Sequence, residues 1–301
     1  MTRVGVVGLG AMGGRIAGRL LTQGRVVHGT NRTKAKADGL IGQGLVWCET
    51  PRTTAKRSDV VISMVANDVA LNAVTEGPDG ILAGLVPGSV YVDMSTVSPR
   101  TSRSLAERVK SLGATMLSAP VSGSVPAAEA GTLAIIVGGN VDAFESVEPI
   151  LRELGSTVTL VGDAGHALLL KLGINMSLAV QMLAFSEGLL LAESGGVDRS
   201  VALQVMTHSA IGSPMLQARS PLLLQLPEEA WFDVVMMQKD LRLALDSGRD
   251  QGVLMPSTTV TEEMLSIARA TGHEHRDIAV LFRILSDLVT PPGPTPGSAT
   301  T

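Results

Sequence analysis

"RVGVVGLGAMGGRIAGRLLTQGRVVHGTNRTKAK", residues 3–36, decides the fold. Residues 3–8 form a short β-branched run, a helical pattern extends from about Met12 to Gln23, and a second apolar run covers 25–31. Strand, helix, strand within 30 residues is the pattern of a βαβ unit. Between the first strand and the helix lie Gly8, Leu9, Gly10, Ala11, Met12 and Gly13. In that context the first glycine makes the tight turn, the second lets a pyrophosphate approach the backbone, and the third lets helix and strand pack closely. The helix N-terminus then offers free N–H groups to phosphate oxygens. The stretch therefore predicts a dinucleotide cradle.

The end of the second strand addresses which dinucleotide binds. A carboxylate about 20 residues beyond the glycines usually takes the ribose hydroxyls of NAD. Residues 30–36 read "TNRTKAK", with no acid between Gly24 and Ala37. Arg32 offers a planar fork suited to a 2′-phosphate. Asn31 and Thr33 can add uncharged donors, and Lys34 or Lys36 background attraction. A solvated basic turn is the plainer reading. The expectation is NADP(H), with NADPH preferred over NADH.

Outward from this unit, strand-like runs continue at 59–65, 89–95, 114–120, 133–139 and 157–162, separated by Gly, Pro and Asn/Asp breaks. After Gly162 the pattern changes to helices, at 165–195, 198–209, 215–225, 233–251, 256–271 and 275–288. The expected fold is α/β: an N-terminal Rossmann doubly wound sheet plus an all-α C-terminal domain linked by a long helix. Expected boundaries are 1–163 for the dinucleotide-binding domain, 164–195 for the long helix, 196–289 for the helical substrate and dimerisation domain, and 290–301 for a disordered Pro/Gly/Ser/Thr-rich tail. About 30 residues of helix span roughly 45 Å. Apolar almost all round, such a helix needs partners on all sides, so a homodimer or homotetramer is expected.

Composition narrows the function classes. The chain has 301 residues, 45% of them hydrophobic and 17% charged, with a net charge of −4. Neither charge nor aromatic content (2%) provides a nucleic-acid footprint. One cysteine, Cys48, rules out an internal disulfide and fits a reducing compartment. No export signal is evident, and the uncharged run 172–186, carrying Asn175 and Gln181, is short and polar for a membrane span. A cytoplasmic protein without membrane, nucleic acid or metal is expected.

Three features carry candidate chemistry. "DMSTVSP" (93–99) and "APVSGS" (119–124) follow strands, which puts Ser95, Thr96, Ser122 and Gly123 at carboxyl ends, where open α/β sheets place ligands. In the long helix Lys171 and Asn175 are one turn apart and project from one face. A lysine facing a cofactor crevice can exchange a proton with a substrate oxygen, and burial lowers its pKa toward working pH. A lysine snorkelling along apolar surface is the rival reading. Lys239 and Asp240 lie on an amphipathic helix seven residues beyond Phe232, where an adjacent Lys-Asp pair ordinarily marks a solvated surface. The His273-Glu274-His275 triplet lacks acids at ligand spacing.

In order along the chain, "GLGAMG", "DMSTVSP", "APVSGS", the approach to "KLGIN" and "FDVVMMQKDLRLAL" resemble the β-hydroxyacid dehydrogenase family over about residues 3–289. The family includes 3-hydroxyisobutyrate dehydrogenases, tartronate semialdehyde reductases and glyoxylate/succinic semialdehyde reductases. The resemblance implies that Lys171 is the catalytic lysine with Asn175 its partner. It implies that Ser122, Gly123, Thr96, Lys239 and Asp240 serve a small carboxylate-bearing substrate. It also implies that Gly8 to Gly13, Asn31, Arg32, Thr33, Val65, Thr96, Phe232 and Lys239 serve the cofactor. Asn31-Arg32-Thr33 is similar to the NADP-preferring reductases. The implied reaction interconverts a β-hydroxyacid and its semialdehyde or keto acid. Ser124 stands where the family usually has glycine, Gly165-His166-Ala167 replaces Gly-x-Gly, and Ile174 replaces a frequent asparagine. Alternatives are the related imine and ketone reductases, and a non-catalytic NADP-binding sensor or scaffold.

Overall fold

The computed structural model describes residues 2–289; the tail 290–301 lies outside them. Among the described residues nine strands form one sheet: β1 (Val4–Val7), β2 (Val27–Thr30), β3 (Val46–Trp47), β4 (Val60–Ser63), β5 (Val90–Asp93), β6 (Thr115–Ser118), β7 (Val121–Ser122), β8 (Leu133–Gly139) and β9 (Gly155–Leu160). Between them run α1 (Ala11–Thr22), α2 (Asp38–Gly42), α3 (Pro51–Lys56), α4 (Asp68–Thr75), α5 (Pro99–Ser111), α6 (Val125–Ala130) and α7 (Val141–Leu154). There follow α8 (Ala164–Ser194), α9 (Arg199–His208), α10 (Pro214–Leu224), α11 (Val234–Gln251), α12 (Pro256–Ala270) and α13 (Val280–Leu288).

The strand order is β3-β2-β1-β4-β5-β6-β8-β7, with β9 also paired to β8. From β3 to β6 every pairing is parallel. The chain leaves β1 toward β2 and β3, then returns to build outward from β4, so the topological switch lies between β1 and β4, where α/β sheets bind ligands. Beyond β6 the expected parallel series changes, because β8 runs antiparallel to β6. Side-chain alternation cannot encode strand direction. The two-residue strands β3 and β7 are likewise too short to leave a period.

Burial follows the pleat. Val4 and Val6 join the cluster with Ile16, Leu20, Leu133 and Leu151, whereas Val7 joins the opposite cluster with Val61, Tyr91, Leu105 and Leu168. Both faces of the sheet are covered, as a parallel sheet requires.

The contacts divide the chain into two units. The first holds the chain to Asn175 together with Lys239–Leu254; the second holds Met176–Gln238 and the chain from Met255 onward. The division departs from the boundaries expected from sequence, since the first turns of α8 and most of α11 belong to the sheet-bearing unit. The helical unit buries Met182, Phe185, Leu203, Leu216, Leu265 and Leu281. There Asp277 accepts hydrogen bonds from Arg219 Nη1 (2.8 and 3.0 Å) and from the backbone N–H groups of Trp231, Phe232 and Ala279. These bonds hold 275–279 as a turn, so α13 begins at Val280 and not at the expected residue 275.

α8 is 31 residues long, matching the expected single long helix. By length and composition it could cross a membrane, a test that core helices of soluble proteins also pass.

Candidate active site

The cradle follows from the backbone. Gly8 takes φ +94°, and a Cβ there would stand 2.4 Å from the Met64 carbonyl oxygen. A Cβ on Gly13 would stand 1.9 Å from the Gly8 carbonyl, so this glycine lets α1 close against the turn. Gly10 differs, having no protein atom within 4 Å of its Cβ position. It caps α1 without a side-chain hydrogen bond, leaving the helix N-terminus open. Close approach to a pyrophosphate is the use such a bare position serves, so these residues fit a dinucleotide.

Asn31 has a bracing role that the sequence reading did not include. Its Oδ1 accepts from the Leu9 N–H (3.1 Å) and its Nδ2 donates to the Thr33 carbonyl (3.0 Å), so its amide braces the glycine loop from β2. Lys34 lies 5.4 Å from the Trp47 ring centroid and 3.8 Å from Glu49. Arg32 is exposed and has no partner among the described residues.

The central feature is a buried line of charges. Lys171 is 8% exposed and donates through Nζ to Asn175 Oδ1 at 2.8 Å. Asn175 Nδ2 donates to Asp240 Oδ2 at 2.5 Å. Asp240 Oδ1 lies 2.8 Å from Lys239 Nζ, which also donates to the Thr96 carbonyl at 2.5 Å. Buried Lys171, through Asn175, and half-buried Lys239 thus share one carboxylate, and the line ends at the loop after β5. The helical spacing of 171 and 175, and the neighbouring positions 239 and 240 on α11, make this geometry possible. Asp240 is 1% exposed, so the reading of Lys239–Asp240 as solvated surface is corrected: α11 is buried at this point. Its carboxylate is committed to Asn175 and Lys239.

Burial lowers the Lys171 pKa from 10.5 to about 8; the Asp240 charge opposes that shift and the Lys239 charge adds to it. An amine titrating near 8 can give and take a proton close to neutral pH.

Under this line sits a network that sequence reasoning passed over. Asp93, at the end of β5, is 1% exposed and accepts from Ser63 Oγ (2.7 Å) and the Ser95 N–H (3.2 Å). Ser95 Oγ accepts from the Val65 N–H at 3.0 Å. The available signal was the acid opening "DMST", read only as part of a loop motif.

Ser122 ends β7 half-buried, and Gly123 follows at φ +138°, a conformation that favours glycine. Ser124 begins α6 with no side-chain cap. Phe232 belongs to the helical unit, its N–H held by Asp277. Among the described residues no cluster of His, Cys, Asp and Glu could hold a metal ion.

A dinucleotide cradle at the switch point, with a buried lysine linked through Asn175, Asp240 and Lys239 to the neighbouring strand end, fits a nicotinamide-linked oxidoreductase. Residues 3–162 match the NAD-binding domain of 6-phosphogluconate dehydrogenase, and 164–285 the NAD-binding domain of NADP-dependent 3-hydroxyisobutyrate dehydrogenase. Glyoxylate/succinic semialdehyde reductase 1 of Arabidopsis thaliana is 34% identical over 93% of this chain and 96% of its own. Psf3 in complex with NADP+ and 2-OPP is 30% identical with a TM-score of 0.86, over 94% of this chain and 99% of its own. Mycobacterium tuberculosis 3-hydroxyisobutyrate dehydrogenase with L-serine is 28% identical with a TM-score of 0.82, over 95% and 99%. The chain belongs to the β-hydroxyacid dehydrogenase family and binds a nicotinamide dinucleotide.

Proposed function

We propose that this protein is an NADPH-dependent oxidoreductase interconverting a small β-hydroxyacid and its semialdehyde or keto acid, with Lys171 as general acid and base. The observation that carries the proposal is the buried Lys171–Asn175–Asp240 line. The bound cofactor supplies or receives the hydride. In reduction Lys171 gives a proton from Nζ to the substrate oxygen, while Asn175 Oδ1 holds the ammonium in direction. In oxidation neutral Lys171 takes that proton back. Asp240 offsets the charge of both lysines, and the Thr96 carbonyl fixes Lys239. Ser122 and the Gly123 backbone are assigned to the substrate carboxylate, the half-buried hydroxyl and the positive-φ glycine turn supporting that role.

The direction of the Lys171 shift gives a pH signature. Oxidation requires the neutral amine, so its kcat/KM should rise about tenfold per pH unit up to about 8 and then level. Reduction requires the ammonium and should fall above about 8. Initial rates in both directions from pH 6 to 10 check this; a flat profile in both would remove Lys171 from the proton transfer.

NADP preference rests on Arg32, exposed and unpaired among the described residues at the end of β2, with Lys34 held against Trp47 and Glu49. Arg32→Ala should raise KM for NADPH about 10- to 100-fold, in line with loss of a charge-assisted bidentate contact of about 1.5–3 kcal/mol, and leave NADH within threefold. Equal loss for both cofactors would sink the 2′-phosphate assignment. A cytoplasmic homodimer or homotetramer belongs to the same proposal; Leu191 of α8 and Val205 of α9, 78% and 64% exposed, support an apolar contact between copies.

A further inference from the structure

Lys171, Asn175 and Asp240 do not account for Asp93, the carboxylate buried beneath the carboxyl ends of β4 and β5. One of its oxygens, Oδ2, has no hydrogen-bond partner among the described residues, so its attachments run through Oδ1. That oxygen gathers two strand ends. From β4 the Ser63 hydroxyl donates to it at 2.7 Å, and Ser63 Oγ in turn lies 2.7 Å from the Tyr91 hydroxyl. Since the single Ser63 proton goes to Asp93, Tyr91 donates to Ser63. From the loop after β5 the Ser95 N–H donates to it at 3.2 Å. Ser95 Oγ then accepts the Val65 N–H, closing a bridge from the β5 loop back to the β4 loop. The β4 loop also meets the cradle, because the Met64 carbonyl occupies the space beside Gly8.

Topology says which end of the cofactor these loops face. The pyrophosphate position is fixed by Gly8–Gly13 after β1, and the adenosine side by β2, which carries Arg32. The remaining half must extend across the switch point to the ends of β4 and β5. We infer that Asp93 is a positioning residue for the nicotinamide half of the cofactor, locking the Val65 and Ser95–Thr96 loops into one bracket through Ser63 and Ser95. The inference rests on dinucleotide binding at the cradle.

The electrostatics agree. Burial raises the Asp93 carboxyl to about 6, against the lowering effect of its Ser63 and Ser95 donors and with a further upward push from Asp68 on α4. At neutral pH it is ionised, and its hydrogen bonds are of the stronger charge-assisted kind. The carbonyl of Thr96, the residue after Ser95, is also the acceptor for Lys239, so a displaced loop would disturb the lysine line as well.

The test uses ligands that separate the two halves of the cofactor: NADPH, and 2′,5′-ADP, which lacks the nicotinamide. If the wild type prefers NADH, the pair becomes NADH and 5′-AMP. Titration calorimetry on Asp93→Ala should show affinity for the whole dinucleotide falling at least tenfold, with the adenosine fragment within twofold. Asp93→Asn keeps an acceptor at Oδ1 and should restore dinucleotide affinity to within threefold of wild type. Ser95→Ala, which removes only the bridge to Val65, should give a smaller selective loss and serves if Asp93→Ala does not fold. A purely structural role would weaken both ligands alike or neither, and either result overturns the inference. A wild type that binds neither dinucleotide overturns the cofactor reading itself, and this inference with it.

Discussion

Lys171→Met should lower kcat at least about 10³-fold, a loss typical of removing a general acid–base, while NADPH affinity stays within a few fold. The same variant should be more stable than the wild type. The folded-state pKa of Lys171 lies below its ordinary value, so burial penalises the ammonium. The penalty is fully present below about pH 8, where both folded and unfolded chains hold the proton. It fades as pH rises from about 8 to 10.5, where the folded chain is neutral and the unfolded one still charged. The shift corresponds to about 3 kcal/mol at neutral pH. Methionine fills the same volume without the charge but leaves Asn175 Oδ1 without its donor, at a cost of about 1–2 kcal/mol. A net gain of about 1–2 kcal/mol remains, visible as a higher urea midpoint at pH 7 that shrinks toward pH 10. Activity lost together with stability would mean the lysine is a structural element.

Asp240→Ala should be the most damaging single change in the unit for fold and activity together. It strips the counter-charge from Lys239 and the acceptor from Asn175 Nδ2 at a site 1% exposed. Breaking a buried pair in this way costs about 3–5 kcal/mol, taken toward the lower end because the Lys239 side chain retains 18% exposure. Asp240→Asn separates charge from shape: it keeps an acceptor for Asn175 but removes the charge that raises the Lys171 pKa. Its alkaline limb in the reductive direction should move to lower pH, with kcat reduced about 10- to 100-fold at pH 8. Urea unfolding and pH–rate profiles of the two variants check both expectations. An unshifted limb in Asp240→Asn would detach Asp240 from Lys171.

The parts of this site legible in sequence were those encoded by local spacing. The glycines of the cradle, the end of the strand pattern at Gly162 and the i, i+4 pair on α8 are such features. What escaped depends on partners far away in the chain. Asp240 beside Lys239 reads as surface until α8 is packed against it, 65 residues removed from Asn175. The brace from Asn31 to the glycine loop has no local signal until its amide meets the Leu9 N–H, and 275–279 reads as helix until Asp277 collects its donors. Asp93 reads only as the opening of the DMSTVSP motif because its role appears only where β4 and β5 end side by side, Ser63 opposite Asp93. Strand direction at β8 had no local signal at all.

The most direct test is the kcat/KM for NADPH-linked reduction of carboxylate-bearing aldehydes against a neutral aldehyde of equal length. Glyoxylate, succinic semialdehyde, methylmalonate semialdehyde and tartronate semialdehyde form the acid set, with a cyclic imine alongside. A substrate anchored at Ser122 and Gly123 should exceed its neutral counterpart at least 100-fold, the roughly 3 kcal/mol of a charge-assisted contact. Equal rates for acid and neutral aldehydes, or turnover of the imine alone, would contradict the assignment of this chain to β-hydroxyacid chemistry.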